Sequence, residues 1–143
     1  MWAALLALAF TRADPCVGLG TTVLVEARAH RLFLCEGGVT GAWYHVALGR
    51  HGLGVGQPGV GLTPLGVMPV GTPEPSARYG VFLPLGDGEL LGIHGPARET
   101  RWLGELSAWV DWTDGSVALG FDRQVQFLAV WVSAHHVTHA LLR

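Results

Sequence analysis

The chain has 143 residues, half of them apolar and 14% charged. That composition excludes a disordered segment and fits one domain, which at this size buries about two-thirds of its unfolded surface without needing a metal or disulfide framework. Nine cations, all arginine, stand against eleven acids for a formal charge of −2, so no basic excess exists to hold a nucleic-acid backbone.

In chain order, residues 2–10 are the longest apolar stretch, about half of a bilayer-spanning length. They read as the hydrophobic region of a secretory signal. Cleavage after Ala9 or Ala13 would remove at most residues 1–13 and leave residues 14–143 as one domain with no membrane span. An N-terminal core segment or an uncleaved anchor is the alternative. The chain has no Asn and so no N-glycosylation sequon, and its 21 glycines and eight prolines favour short strands and tight turns. Residues 21–27, 31–35 and 39–48 are β-rich and separated by turn signals, which predicts an antiparallel meander. Cys16 lies before the first of these strands and Cys35 ends the second. In an oxidising compartment the two can pair across the hairpin; two free buried cysteines are the other reading. Residues 49–75 read as a Gly/Pro-rich loop, residues 79–85 as a strand, Asp87-Gly88 as a hairpin turn and residues 89–94 as the returning strand. Residues 96–108 show no clear period. Phe121, Val125, Leu128, Ala129 and Val132 fall at helical spacing, so residues 121–132 are the best helix, with Asp122 suited to its N-terminus. Residues 137–142 read as a closing strand.

Two patterns mislead. Gly54-Val55-Gly56-Gln57-Pro58-Gly59 satisfies G-x-G-x-x-G, but the Val60-Gly61-Leu62-Thr63-Pro64 that follows cannot begin the helix a dinucleotide site requires. His135, His136 and His139 resemble a metal cluster, yet no Cys or acid lies near them in sequence, so a structural or surface role is expected and no metal is assigned.

Three segments carry the chemistry: Leu62-Thr63-Pro64-Leu65-Gly66, Ile93-His94-Gly95, and Asp111-Trp112-Thr113-Asp114-Gly115-Ser116-Val117-Ala118-Leu119. In this order, and with the helix after them, they resemble the YkuD-type L,D-transpeptidase catalytic domain. Arg28-Ala29-His30-Arg31-Leu32-Phe33-Leu34 and Val46-Ala47-Leu48-Gly49 match that family's opening meander, so the resemblance spans about residues 23–142. It implies a mainly β fold, a sandwich or barrel with one main helix near the C-terminus. It also implies an exported protein of the periplasm or cell envelope, using no cofactor, that acts on peptidoglycan stem peptides. The family's acyl-enzyme forms on a Cys thiolate and passes to an amine, to water or to a tethered protein. One branch carries D-W-T-x-G-C, and this chain resembles that branch with Ser116 in place of the nucleophilic Cys. Cys16 and Cys35 lie at the wrong end of the chain to replace it.

A thiol is acidic enough to stand as a thiolate beside a cation, whereas a serine hydroxyl needs a base to take its proton during attack. His94, Asp114 and Ser116 supply the residue types of such a triad. The resemblance further implies that the Gly115 and Ser116 amides act as oxyanion donors, that Thr113 supports His94 through a hydrogen bond, and that Gly95 and Trp112 line the substrate groove. A core histidine at His94 and a positive-φ turn at Gly115 are the structural alternatives. Two functional readings follow: acyl transfer or hydrolysis at stem peptides with Ser116 as a slow nucleophile, or a silenced module that binds peptidoglycan or a cell-wall enzyme without turnover. A purely structural protein, using residues 49–75 as its surface, is a third. The sequence sets no oligomeric state.

Overall fold

A computed structural model of the chain describes residues 12–56, 59–87 and 90–143. The apolar stretch read as a signal therefore lies outside the described residues, as do Gln57, Pro58, Gly88 and Glu89.

The meander forms from continuous apolar runs, and its first two strands are buried on both faces. Strand β1 (Thr22–Glu26) pairs antiparallel with β2 (Arg31–Glu36), and β2 with β3 (Val39–Ala47). The link between the first two is a 3-10 turn at Ala27–Ala29, closed by His30 at φ 52°. Strands β4 (Gly66–Pro69) and β5 (Glu74–Ser76) follow, then β6 (Gly80–Pro84), β7 (Gly92–His94), β8 (Val117–Leu119), helix α1 (Asp122–Ala134) and β9 (His139–Leu142). The nine strands make one curled sheet in the order β4-β9-β1-β2-β3-β8-β7-β6-β5.

Two corrections concern segments that looked irregular. Residues 49–75 contain β4 and the start of β5. These are successive parts of one bent segment, the first paired with β9 and the second with β6. Between them a bridge joins Val70 to Leu85, so the sheet curls back on itself there. Gly71 sits at that corner because a Cβ would lie 3.0 Å from the Pro84 side chain. Residues 96–108 are also ordered: Arg98–Ala108 winds as 3-10 helix, broken at Gly104. This segment is the crossover that lets β7 and β8 run parallel.

The main core fills the inside of the curl. Val23, Val25, Leu32, Leu34 and Val46 point inward from the meander, and Val125, Leu128 and Val132 face them from α1 at helical spacing. Each such side chain contributes roughly 1.5–3 kcal/mol on burial. The opposite face of the meander is covered too. Cys16 and Cys35 form a disulfide and, with Leu24 and Phe33, make a second cluster under the N-terminal segment. Asp14 pins that segment by accepting hydrogen bonds from the Cys16 and Thr40 amides and the Thr40 hydroxyl. No described helix is long and apolar enough to cross a membrane.

Candidate active site

The parallel pairing of β7 and β8 sets Ile93 beside Val117 and His94 beside Ala118. Ser116, one residue before β8, is thereby placed next to Gly92, diagonal to His94. Its hydroxyl is committed there: it accepts a hydrogen bond from the Gly92 amide at 3.1 Å and donates to the Leu90 carbonyl at 3.3 Å. No hydrogen bond joins Ser116 to His94 among the described residues.

His94 is 2% exposed. Tyr79 stacks on its ring at 3.7 Å, Phe82 lies nearly parallel at 6.0 Å, and Trp112 meets it edge-on at 5.7 Å. Its Nδ1 faces the Gly95 carbonyl at 2.7 Å. A carbonyl can only accept, so Nδ1 carries the proton and Nε2 keeps its lone pair. Burial pushes the His94 pKa down to about 4, against a smaller upward pull from the Gly95 carbonyl. The ring is therefore neutral at pH 7.

The segment before Ser116 is held by a separate network. Thr113 donates its hydroxyl to the Ser116 carbonyl at 2.6 Å and accepts from the Gly115 amide at 3.1 Å. Its own amide and carbonyl bond Leu48 and Arg50. Asp111 accepts from the Leu48 amide at 2.8 Å and pairs with His30 at 3.0 Å. Gly115 has φ +136°, and a Cβ there would stand 2.7 Å from the Leu62 carbonyl oxygen. Thr63, fully buried, accepts from the Gly49 amide. The segments singled out in sequence thus meet in space: Leu48–Gly49, Leu62–Thr63 and Thr113–Ser116 brace one another around Gly115.

The structure gives several of the expected site residues other partners. Asp114 is exposed and pairs with Arg50, 64 residues away in sequence; the His94 Nδ1 it would have oriented is taken by Gly95. Thr113 bonds Ser116 and Gly115 rather than His94. The Gly115 amide, one of the two amides expected to face an oxyanion, donates to Thr113 instead. Gly95 is buried against Asp122, whose Oδ1 a Cβ would approach to 2.6 Å; it orients His94 instead of lining an open groove. Trp112 is half-buried, donates its Nε1–H to the Ser107 carbonyl, and does line a cavity of about 460 Å³ beside Arg78 and Leu103. A second cavity, of about 110 Å³, borders Gly115 between Leu62 and Leu90. The Cys16–Cys35 disulfide removes both cysteines from nucleophilic chemistry. Among the described residues no group of His, Cys, Asp or Glu could hold a metal ion; His135 instead stacks on Trp131 and pairs with Glu36.

Tyr79, Phe82 and Arg50 were not singled out by sequence reasoning. A signal existed for Phe82: a hairpin turning near residue 88 puts it opposite His94, which is the observed register.

The family model of the L,D-transpeptidase catalytic domain, YkuD, matches residues 20–137. A comparison with curated proteins finds no match. Among solved structures, a cysteine-to-serine mutant of an Enterococcus faecium L,D-transpeptidase is similar at 16% identity and TM-score 0.59, over 87% of this chain and 50% of that one. An L,D-transpeptidase from Xylanimonas cellulosilytica is similar at 15% identity and TM-score 0.53, over 87% and 60%. L,D-transpeptidase 3 from Mycobacterium tuberculosis, solved with a faropenem-derived adduct, is similar at 12% identity and TM-score 0.59, over 87% and 60%. The chain thus spans between half and three-fifths of the length of these three structures.

Proposed function

The chain belongs to the YkuD family of L,D-transpeptidase catalytic domains, and from that premise we propose that it is an exported cell-envelope protein that engages peptidoglycan stem peptides by binding, with acyl transfer silenced. One observation carries the silencing. The Ser116 hydroxyl gives its proton to Leu90 and takes one from Gly92, so nothing draws that proton toward His94. Serine catalysis needs that transfer during attack. Asp114, held by Arg50 at the surface, adds no orientation to the ring.

A second reading, slow serine acyl transfer, is favoured by one feature. His94 is neutral with a free Nε2, the state a general base requires. In that reaction Nε2 takes the Ser116 proton as Oγ attacks the stem-peptide carbonyl, then returns it to the departing amine.

Mass spectrometry of muropeptides incubated with the mature protein separates the two. Under the silenced reading the native chain gives no product, whereas Ser116→Cys yields exchange or trimming products and is acylated by carbapenems. Native product that disappears in Ser116→Ala would establish the serine enzyme. A folded Ser116→Cys whose thiol stays unmodified, in a chain that also binds no stem peptide, would remove the stem-peptide reading altogether.

A further inference from the structure

The 3-10 crossover and the two residues after it have an outer side that the seam between β7 and β8 does not use. Trp102 is 82% exposed, Leu106 67%, Trp109 62% and Val110 65%. Large apolar side chains this open, gathered on one short segment, mark a surface that meets something other than water. Trp109 leans on His45 with ring centroids 3.9 Å apart. Leu106 and Val110 border the cavity of about 460 Å³, together with Ala97, Leu103 and Trp112. The cavity therefore opens through the exposed patch. Neither His94 nor Ser116 borders it.

The walls of this cavity leave little polar chemistry free. Thr100 gives its hydroxyl proton to the Ala97 carbonyl, Ser107 to the Gly104 carbonyl, and Trp112 its Nε1–H to the Ser107 carbonyl. A peptide backbone lying along these walls would leave its carbonyls without a side-chain donor, a cost that a hydrocarbon chain does not meet. Two charges stand at the mouth. Arg78 and Glu99 are 4.0 Å apart and each more than half exposed, a loose pair that contributes little as it stands. Residues 98–110 are neutral as a whole, with Arg98 and Arg101 against Glu99 and Glu105. No excess of either sign selects an anion or a cation, and a group that carries both signs fits.

The chain also enters the described fold from this side. Arg12 and Ala13, which follow the apolar residues 2–10, border a hollow with Ala29, and Ala29 and Trp109 border the next. A bilayer that holds residues 2–10, as an export signal or an anchor requires, meets the fold on the Trp109 side.

We propose that the cavity takes the acyl chain of a zwitterionic phospholipid, with the crossover resting on the bilayer surface that supplies it. The acyl chain lies among Leu103, Leu106 and Val110, the phosphate faces Arg78 and the ammonium faces Glu99. The open indoles sit at the level of the headgroups, where a ring with an apolar body and a polar edge is favoured. The inference does not rest on stem-peptide binding.

The test uses the whole chain with its disulfide intact. Lysophosphatidylcholine, held below its micelle concentration and followed by calorimetry, should bind one to one. A monoacylglycerol of the same chain length lacks the two charges and should bind about threefold more weakly. Arg78→Gln should lower the lysolipid affinity by a similar factor and leave the monoacylglycerol unchanged. Leu106→Asp should weaken both about tenfold. Phosphatidylcholine vesicles should retain the native chain better than Leu106→Asp or Trp102→Ala, in low and high salt alike. The difference between native and variant removes whatever residues 2–10 contribute. Unfolding midpoints identify the variants that keep the fold. A stem tetrapeptide titrated in parallel separates the two readings: it should bind the native chain and Leu106→Asp alike, with or without lysolipid, and its failure to bind either would remove the stem-peptide reading alone. Absence of saturable lysolipid binding overturns the proposal, as does equal affinity in folded Leu106→Asp. So do retention confined to anionic vesicles at low salt, displacement of lysolipid by the tetrapeptide, and self-association that Leu106→Asp abolishes.

Discussion

In the seam between β7 and β8 the polar side chains are spent on the fold, whereas on the outer face of β2 and β3 two indoles and a guanidinium are left over. His94 is sandwiched and bonded to Gly95, Thr113 bonds two neighbours, and Ser116 is held between Leu90 and Gly92. Outside, Trp109 is exposed and leans on His45 alone, and the half-buried Arg31 lies over Trp43 without an acidic partner among the described residues. On the proposed reading, the side chains at the family's reaction centre serve here to brace the fold. If that contrast is right, substitutions in the seam should cost the fold heavily.

The largest effect is expected at Gly115. Alanine there meets both an unfavourable φ of +136° and a backbone oxygen at 2.7 Å, and the Leu62 backbone cannot move away without releasing the neighbouring Thr63 bond to Gly49. Gly115→Ala should destabilise by about 4 kcal/mol, read by urea unfolding. A cost under about 1 kcal/mol would mean that the bracing around Ser116 is loose and its hydroxyl free to turn toward His94.

Next comes acid. The unfolded His94 titrates near 6.5 and the folded ring near 4, so as pH falls below 6.5 the unfolded chain takes up the proton first. The associated stability is fully present above 6.5 and is lost as pH approaches 4, about 3 kcal/mol in all. Asp14 does not share this window, because its hydrogen bonds from Thr40 and Cys16 hold its carboxyl below the usual 3.8. Denaturation curves at pH 7 and 4.5 should show the loss in the native chain and a much flatter response in His94→Phe. Equal slopes in both would place the acid sensitivity elsewhere and the His94 ring within reach of solvent.

Much of this was legible in the sequence. The β-rich runs and turn signals in residues 21–48 and the apolar spacing from Phe121 to Val132 are local signals, and each became the element expected. The family was readable from the order of short motifs, none of which is specific alone. What stayed hidden was long-range. Residues 49–75 looked like loop because Gly and Pro weaken strand propensity, yet β4 and β5 lie at a corner where the bend itself needs such residues. The motif placed Asp114 two residues from Ser116 and so suggested a shared task, but its partner Arg50 lies 64 residues away. No pattern of spacing announces that a hydroxyl will be satisfied by the carbonyl of Leu90.

The smallest effects decide the most about the triad, because two acids of one segment are set against each other. Asp111, half-buried, receives the Leu48 amide and His30 and so ties the segment to the end of β3 and to the β1–β2 turn. Its replacement by alanine leaves that amide unpaired and should cost about 2 kcal/mol. Asp114 meets only an exposed arginine, and exposed pairs contribute within about 0.5 kcal/mol. Asp114→Ala should therefore leave the unfolding free energy where it was and lower the NMR-detected titration of His94 only slightly, by loss of the weak upward pull of its charge. A double-mutant cycle with Arg50→Ala should give a coupling of similarly small size. The acid that matters to Ser116 is then Asp111, which acts by holding the backbone still. If instead Asp114→Ala moves the His94 titration markedly while Arg50→Ala does not, the aspartate swings from the surface to the ring in solution, and the chain holds a working triad that the resting arrangement conceals.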